Sequence, residues 1–272
     1  MALIGEDFRR ARHGWLYDAH NPQPLWFAIL GFAMLLVLNM FLQGLTAFAI
    51  APFMEGGMSD PRAIVKGTIL GMMPVAIICA LACYGLASLR GGDAWSATAL
   101  RWPRLGIGGW LALVVGFLAM MYAVIIVIVV VLQIDMTQYT PGANGESPES
   151  GSAGLVKEAM YDLANEPLLY WIAIASVALA APLVEEFLFR GPLFASLAQT
   201  RLGRWGTVIL TSVGWSLMHM TEPYFSIALI FMMGLVLGAL LLRFGSLWVT
   251  MVCHGAWNFI FSLITLGVAG QS

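Results

Sequence analysis

Long apolar runs separated by short polar stretches make up most of the chain after residue 24. A helix needs about 20 apolar residues to cross the hydrocarbon core of a bilayer. Segments of this kind occupy residues 25–50, 63–89, 107–134, 168–198, 205–220, 224–242 and 246–266. The pattern predicts an all-α polytopic membrane protein with about seven transmembrane helices, or six to eight because Pro182 could break the fourth segment.

The polar stretches divide the chain into four parts. Residues 1–24 predict a polar cytoplasmic segment, and residues 25–134 predict a three-helix membrane part. Residues 135–167 are rich in Gly, Pro, Ser, Asp and Glu, which is typical of a water-facing loop, here an extracytoplasmic one. Residues 168–266 hold the remaining helices and nearly all the ionisable residues that fall within a span.

Composition makes the bilayer an expected partner. Apolar residues account for 60% of the 272 positions and charged residues for only 10%, whereas soluble domains carry roughly 25% charged residues. A water-soluble fold of this length cannot hide so much hydrocarbon. The net charge of −2 gives no sign of a nucleic-acid partner. The cysteines Cys79, Cys83 and Cys253 lie inside apolar runs and are interpreted as packing residues.

Basic residues orient the chain, because cytoplasmic loops carry an excess of Lys and Arg. With seven crossings and a cytoplasmic N-terminus, the cytoplasmic segments hold Arg9, Arg10, Arg12, Arg90, Arg101, Arg104, Arg201, Arg204 and Arg243. The opposite side holds only Arg62, Lys66 and Lys157. This bias predicts an N-in arrangement in a bacterial inner membrane.

Five ionisable side chains interrupt the apolar spans of the C-terminal part: Glu185, Glu186, Arg190, His219 and His254. Each costs on the order of 3 kcal/mol near the bilayer centre, so a functional reason is expected. Glu186 and Arg190 are four residues apart, which favours an ion pair of architectural or catalytic significance. Glu185 is rotated by about 100° from Glu186 and can face a cavity.

These groups are predicted to lie at a similar depth. At about 1.5 Å per helical residue, a continuous helix puts Glu185 about 24 Å from the arginines that mark the cytoplasmic boundary. The corresponding distance is about 22 Å for His219 and roughly 16–22 Å for His254 and Asn258. Three separate helices therefore bring polar groups to one level, which predicts a shared intramembrane cavity.

A carboxylate beside imidazoles can activate water. Glu185 is the candidate general base, and His219 can hold the attacking water or pass a proton. His254 and Asn258 share one helix face and can stabilise an oxyanion. Zinc is an alternative, because Glu185, His219 and His254 form an acceptable ligand set. The H-E-x-x-H zinc pattern is absent from the sequence.

Two other intramembrane protease patterns fit less well. Tyr161-Asp162 is similar to half of an aspartyl dyad, but it lies in the polar loop and lacks a second aspartate in a span. Ser216 with His254 is similar to a rhomboid-type dyad, but both glutamates then go unexplained. A transporter would show related halves, and the N-terminal part has no counterpart of the polar C-terminal residues.

Three motifs resemble those of the CAAX protease and bacteriocin-processing (CPBP) family of intramembrane proteases. The segment E-E-F-L-F-R at 185–190 is similar to its E-E-x-x-x-R motif, and W-S-L-M-H at 215–219 to its F-x-x-x-H motif. The segment H-G-A-W-N at 254–258 is similar to its H-x-x-x-N motif. Trp215 departs from the usual Phe. The resemblance covers about residues 168–266 and rests on three motifs in order on successive helices.

The resemblance implies an intramembrane endopeptidase that hydrolyses a peptide bond of a membrane-associated protein or peptide. It implies Glu185 as base for water assisted by His219, Glu186 paired with Arg190, and an oxyanion hole of His254 and Asn258. It also implies a glutamate mechanism that requires no metal, although the family was historically classed as metalloproteases. Nothing in the sequence indicates a prenylated substrate. The alternative is a non-enzymatic protein, such as a bacteriocin self-immunity factor, scaffold or transporter, that retains the motifs.

Overall fold

The computed structural model of the chain describes residues 4–135 and 152–269, and every element of regular structure in these ranges is helical. The α-helices in chain order are α1 Glu6–Ala11, α2 Leu25–Ile50, α3 Pro61–Ser88, α4 Ala94–Ala97, α5 Ile107–Leu132, α6 Ser152–Leu163, α7 Pro167–Ala175, α8 Ala181–Arg190, α9 Pro192–Ala198, α10 Gly203–Leu217, α11 Tyr224–Phe244 and α12 Leu247–Ala269. One π-helical turn, Ser176–Ala180, joins α7 to α8.

Five helical segments of the described chain are long and apolar enough to cross a membrane: Leu25–Phe53, Pro61–Gly91, Ile107–Leu132, Pro167–Ala198 and Tyr224–Phe244. The last helix, α12, has 23 residues, and α10 has only 15. All seven predicted spans are therefore helical, although α10 is short for a full crossing. The predicted class, an all-α polytopic membrane protein, is confirmed.

The two halves of the chain bury their helices to different degrees. Helices α2 and α5 leave large apolar side chains such as Phe41 and Val130 about two-thirds exposed, as expected of surfaces in contact with lipid tails. In α8, by contrast, eight of the ten residues are buried. This buried helix carries the first candidate motif, and α3, α10 and α12 pack around it.

Small residues let neighbouring helices approach closely. A Cβ atom on Gly67 would lie 2.9 Å from the Ala47 carbonyl oxygen, so α3 sits directly against the α2 backbone. A Cβ on Gly234 would lie 2.8 Å from the Ser212 side chain, which places α11 equally close to α10. Such contacts are typical of membrane helix interfaces.

The fourth predicted span does not break at Pro182. That proline lies inside a continuous helical stretch directly after the π-helical turn Ser176–Ala180, and a local adjustment of this kind accommodates its missing N–H. The break comes instead at Gly191, and α9 begins with Pro192 immediately after it. Because the helix is interrupted there, the depth of about 24 Å expected for Glu185, which required a continuous helix, does not hold.

The predicted polar loop at 135–167 contains a helix. Helix α6 packs along α3, and its Ala159, Met160 and Leu163 are buried in a small cluster with Ile69. The sequence did not predict this helix, because the interpretation weighed the Gly, Pro and acidic residues and overlooked this apolar spacing. Residues 136–151 of the predicted loop lie outside the described residues.

The polar N-terminal segment lies against one end of the bundle. Asp7 is fully buried and accepts hydrogen bonds from the Arg101 guanidinium at 2.6 Å and the Arg104 backbone N–H at 2.9 Å. Further along, Gln23 donates to the Leu86 carbonyl at 2.8 Å, and the Tyr17 backbone N–H donates to Leu242 at 3.1 Å. The segment therefore ties α3, α5 and α11 together.

Candidate active site

Glu186 is the most deeply enclosed acid of the site. It is fully buried at the centre of α8, where its Oε1 accepts a hydrogen bond from Nη1 of Arg190 at 3.3 Å. The predicted ion pair is therefore present. The same oxygen lies 3.0 Å from Nδ1 of His254 on α12. Because a carboxylate paired with a guanidinium accepts hydrogen bonds, Nδ1 carries the proton, and Glu186 fixes the orientation of the imidazole.

Glu185, one residue earlier, occupies a different environment. Its side chain is 24% exposed, whereas that of Glu186 is 0% exposed. Oε2 of Glu185 accepts a hydrogen bond of 2.7 Å from Nε1 of Trp215 and lies 3.9 Å from Nε2 of His254. The rotation between consecutive helical residues thus directs one carboxylate into the core and leaves the other accessible.

His219 lies at the edge of the site, beyond the end of α10. The sequence placed it inside a span, but the helix stops at Leu217 and His219 follows in a half-buried turn. Its Nδ1 donates to the Trp215 carbonyl at 3.0 Å, because a carbonyl oxygen can only accept. Nε2 of the neutral ring is then left with a free lone pair.

Trp215 occupies the centre of the site, although the sequence identified it only as a departure from the usual Phe. The indole is 1% exposed. Its ring centroid lies 5.2 Å from that of His254 and 5.8 Å from that of His219, in edge-to-face geometry. The Arg190 guanidinium carbon lies 4.5 Å from its centroid, a cation–π distance. The sequence offered one signal of this role, because it has an indole at the position where the F-x-x-x-H motif has Phe.

Arg190 retains hydrogen-bonding capacity that the described residues do not use. It is fully buried, and its Nε and Nη2 atoms find no acceptor among those residues. Buried donors of this kind are normally satisfied by a neighbouring group or by water. The guanidinium therefore contributes charge to Glu186 and a planar face to Trp215.

Asn258 and Gly255 fix how α12 lies against the π-helical turn. Nδ2 of Asn258 donates to the Val177 carbonyl at 3.0 Å. A Cβ on Gly255 would lie 2.5 Å from the Ala178 carbonyl oxygen, so only glycine permits this approach. π-helical turns are frequent at functional sites, and this one sets the level at which His254 faces Glu186. The sequence did not predict this contact of Asn258.

An apolar pocket of about 620 Å³ adjoins these helices, lined among others by Pro182 and Leu183 of α8 and by Gly255 and Ala256 of α12. These are sequence neighbours of the site residues. A catalytic cavity lined by the site residues themselves stays a prediction.

The alternative zinc site requires three ligands around one point. Across residues 4–135 and 152–269, no group of three His, Cys, Asp or Glu side chains is arranged to hold a metal ion. Glu185 and His254 approach each other at 3.9 Å, but His219 is not grouped with them around one point. The described arrangement therefore does not fit the zinc set of Glu185, His219 and His254.

The rhomboid-like alternative also lacks support in the geometry. The Ser216 hydroxyl donates to the Val213 carbonyl of its own helix at 3.0 Å. The two ring nitrogens of His254 face Glu186 and Glu185. The imidazole is therefore oriented by carboxylates and not by the Ser216 hydroxyl.

The comparison with known protein families bears on this arrangement. The family model Type II CAAX prenyl endopeptidase Rce1-like matches residues 167–260, about a third of the chain. Residues 167–260 are thus similar to the Rce1-like family. The resemblance indicated by the three motifs is confirmed over this segment, which contains Glu185, Glu186, Arg190, His219, His254 and Asn258. Searches of curated proteins and of solved structures gave no match.

The matched family is one of CAAX-type endopeptidases, and the chain is an integral multi-pass membrane protein. Helices outside the matched segment also contact the motif helix. The Cys83 thiol of α3 lies 3.7 Å from the Phe187 carbonyl oxygen, and Phe32 of α2 packs edge-to-face on Phe189 at 5.2 Å.

The three cysteines are free and buried, as packing residues are expected to be.

Proposed function

We propose that this protein is an intramembrane endopeptidase in which Glu185 activates water to hydrolyse a peptide bond of a membrane-associated protein or peptide. We further propose that it works without a metal ion, in a bacterial inner membrane, with its N-terminus in the cytoplasm. The proposal builds on the similarity to the Rce1-like family, which supplies the class of reaction.

The observation that carries the proposal is the contrast between two consecutive glutamates. Glu186 is sealed and paired with Arg190 and His254, so it is suited to positioning. Glu185 is partly open and keeps an unpaired carboxylate oxygen available, so it is suited to taking a proton from water. Two carboxylates given different roles by their environments are a recurrent device in hydrolases.

The reaction assigned to these residues runs in two steps. Glu185 takes a proton as the water oxygen bonds to the scissile carbonyl carbon, whose oxygen becomes an oxyanion. The protonated Glu185 then gives that proton to the leaving nitrogen as the carbon–nitrogen bond breaks. His219, with its free Nε2, is suited to orient the water by accepting its second hydrogen.

His254 is assigned to the oxyanion. Its Nδ1–H is already donated to Glu186, so Nε2 can donate to the oxyanion only when the ring is doubly protonated. In that state the imidazolium and the Arg190 guanidinium together balance the two glutamates, which suits a buried site. Asn258 holds α12 in place, and the second N–H of its amide is assigned to the oxyanion as well.

The test compares the N- and C-termini of membrane proteins in cells that carry the wild-type chain and in cells that carry Glu185→Gln. This substitution keeps the shape and the Trp215 hydrogen bond but removes the base. We expect specific termini to disappear in the variant while its amount and membrane insertion stay unchanged. A variant that produces the wild-type set of termini overturns the proposal and favours a non-enzymatic scaffold.

The same substrate, purified and reconstituted with the protein in phospholipid vesicles, tests the metal-free mechanism. Chelator treatment is expected to leave turnover unchanged. Loss of turnover on chelation, with recovery on adding zinc alone, contradicts this part of the proposal. Val177→Ala is the control for activity lost during purification and reconstitution. Its side chain is not part of the site, to which Val177 contributes only its backbone carbonyl.

A further inference from the structure

The indole of Trp215 makes a contact that a phenyl ring at this position could not make. Its N–H donates to Oε2 of Glu185 at 2.7 Å, a short distance typical of hydrogen bonds to a charged acceptor. Among the contacts described for Glu185, the other polar partner is His254 at 3.9 Å. The orientation of the proposed base therefore depends chiefly on this one donor.

The indole is itself held from three sides. Arg190 lies over its face, and the rings of His219 and His254 meet it edge-to-face. At 1% exposure the ring has no room to turn. An immobile donor of this kind fixes its acceptor with little loss of alignment during the reaction.

We infer that Trp215 is a positioning residue for the proposed hydrolysis. Its N–H holds Oε2 of Glu185, so that Oε1 is presented to water. The inference rests on the proposed function, because it gives Trp215 a role only through Glu185. The inference gives the W-S-L-M-H motif at 215–219 a second role besides supplying His219, namely to orient Glu185.

Two replacements of Trp215 separate its N–H from its bulk. Trp215→Phe removes the N–H and part of the ring, and β-(3-benzothienyl)alanine at the same position keeps the bicyclic shape with sulfur in place of the N–H. Trp257→Phe is the matched control, because Trp257 is a buried tryptophan of α12 that packs on Tyr122 and Phe261. The assay uses the substrate found in the Glu185→Gln comparison, in vesicles.

Both replacements are expected to lower kcat about tenfold or more with KM within about twofold, and to change the pH dependence of kcat. A packing role would instead scale the rate equally at every pH. The ultraviolet resonance Raman difference between wild type and Trp215→Phe should show a strongly hydrogen-bonded indole, and that signal should weaken in Glu185→Ala. Trp257→Phe should keep the wild-type pH dependence.

The outcomes distinguish this inference from the function on which it rests. Full activity of the benzothienyl variant with an unchanged pH profile means that only bulk matters, and it overturns the inference while Glu185→Gln remains inactive. An indole signal that does not respond to Glu185→Ala overturns it as well. Wild-type termini in Glu185→Gln cells would remove the proposed function, and the inference with it.

Discussion

Two ion pairs in this molecule differ in their surroundings. Glu186 and Arg190 lie 3.3 Å apart within α8, and both side chains are 0% exposed. Lys66 of α3 and Asp162 of α6 lie closer, at 2.7 Å, but their side chains are 9% and 32% exposed. The second pair borders a polar pocket of about 670 Å³ that Asp60, Arg62 and Glu166 also line.

The contrast shows that burial, and not distance, decides what an ion pair contributes. A charge that loses its partner in a sealed site has no water to replace it, which costs about 3–5 kcal/mol. A charge beside a polar pocket can be hydrated when its partner is removed. Such pairs contribute about 0–1 kcal/mol to the free energy of unfolding. The first pair belongs to the candidate active site, and the second joins the scaffold helices α3 and α6.

The largest effect is expected from removing Arg190 alone. Arg190→Met leaves Glu186 buried without its guanidinium, so we expect unfolding to become easier by about 3–5 kcal/mol and proteolysis to be lost. Glu186→Gln combined with Arg190→Met removes both charges and should recover much of that stability. Detergent-induced unfolding in micelles, followed by tryptophan fluorescence, measures both variants. A double variant no more stable than the single one would show that the charge imbalance is not the cause.

An intermediate effect is expected from Gly255→Ala. The added methyl group would meet the Ala178 carbonyl oxygen at 2.5 Å, so α12 has to move away from the π-helical turn. We expect a loss of about 1–3 kcal/mol together with a fall in kcat, because His254 moves relative to Glu186.

Gly116→Ala is the matched control for that change. Gly116 lies within α5 with nothing within 4 Å of a Cβ atom, so stability should be unchanged or rise by up to about 1 kcal/mol. Equal losses in the two variants would mean that the close approach at Gly255 has no special importance for the site.

The sequence predicted the parts of the site that follow from periodicity along one helix. The spacing of four residues predicted the pairing of Glu186 with Arg190. The rotation of about 100° between consecutive helical residues predicted that Glu185 points away from Glu186. The contacts that join different helices could not be read in this way. The Trp215–Glu185 hydrogen bond and the Asn258–Val177 contact depend on how α10, α12 and the π-helical turn pack, and no local pattern encodes that packing.

The fold, like the site, could be predicted from the sequence only in part. Long apolar runs predicted the spanning helices because the bilayer imposes their length and composition. Helix α6 was missed because the Gly, Pro, Ser and acidic residues of the segment around it are typical of a loop. The folding of the polar N-terminal segment onto the bundle was also missed, because single buried residues such as Asp7 and Gln23 look solvent-exposed in a sequence.

The smallest effect is expected at the pair of Lys66 and Asp162, in which the acid is partly exposed. Lys66→Met leaves Asp162 near water and 3.9 Å from Arg62, which can replace the lost cation, so activity should stay unchanged. A double-mutant cycle of Lys66→Met and Asp162→Asn, in the same unfolding assay, should give a coupling of about 1 kcal/mol or less. The Glu186–Arg190 cycle should give a coupling several times larger. Equal couplings would mean that the polar pocket does not hydrate Asp162, and the distinction between the two pairs would then lose its physical basis.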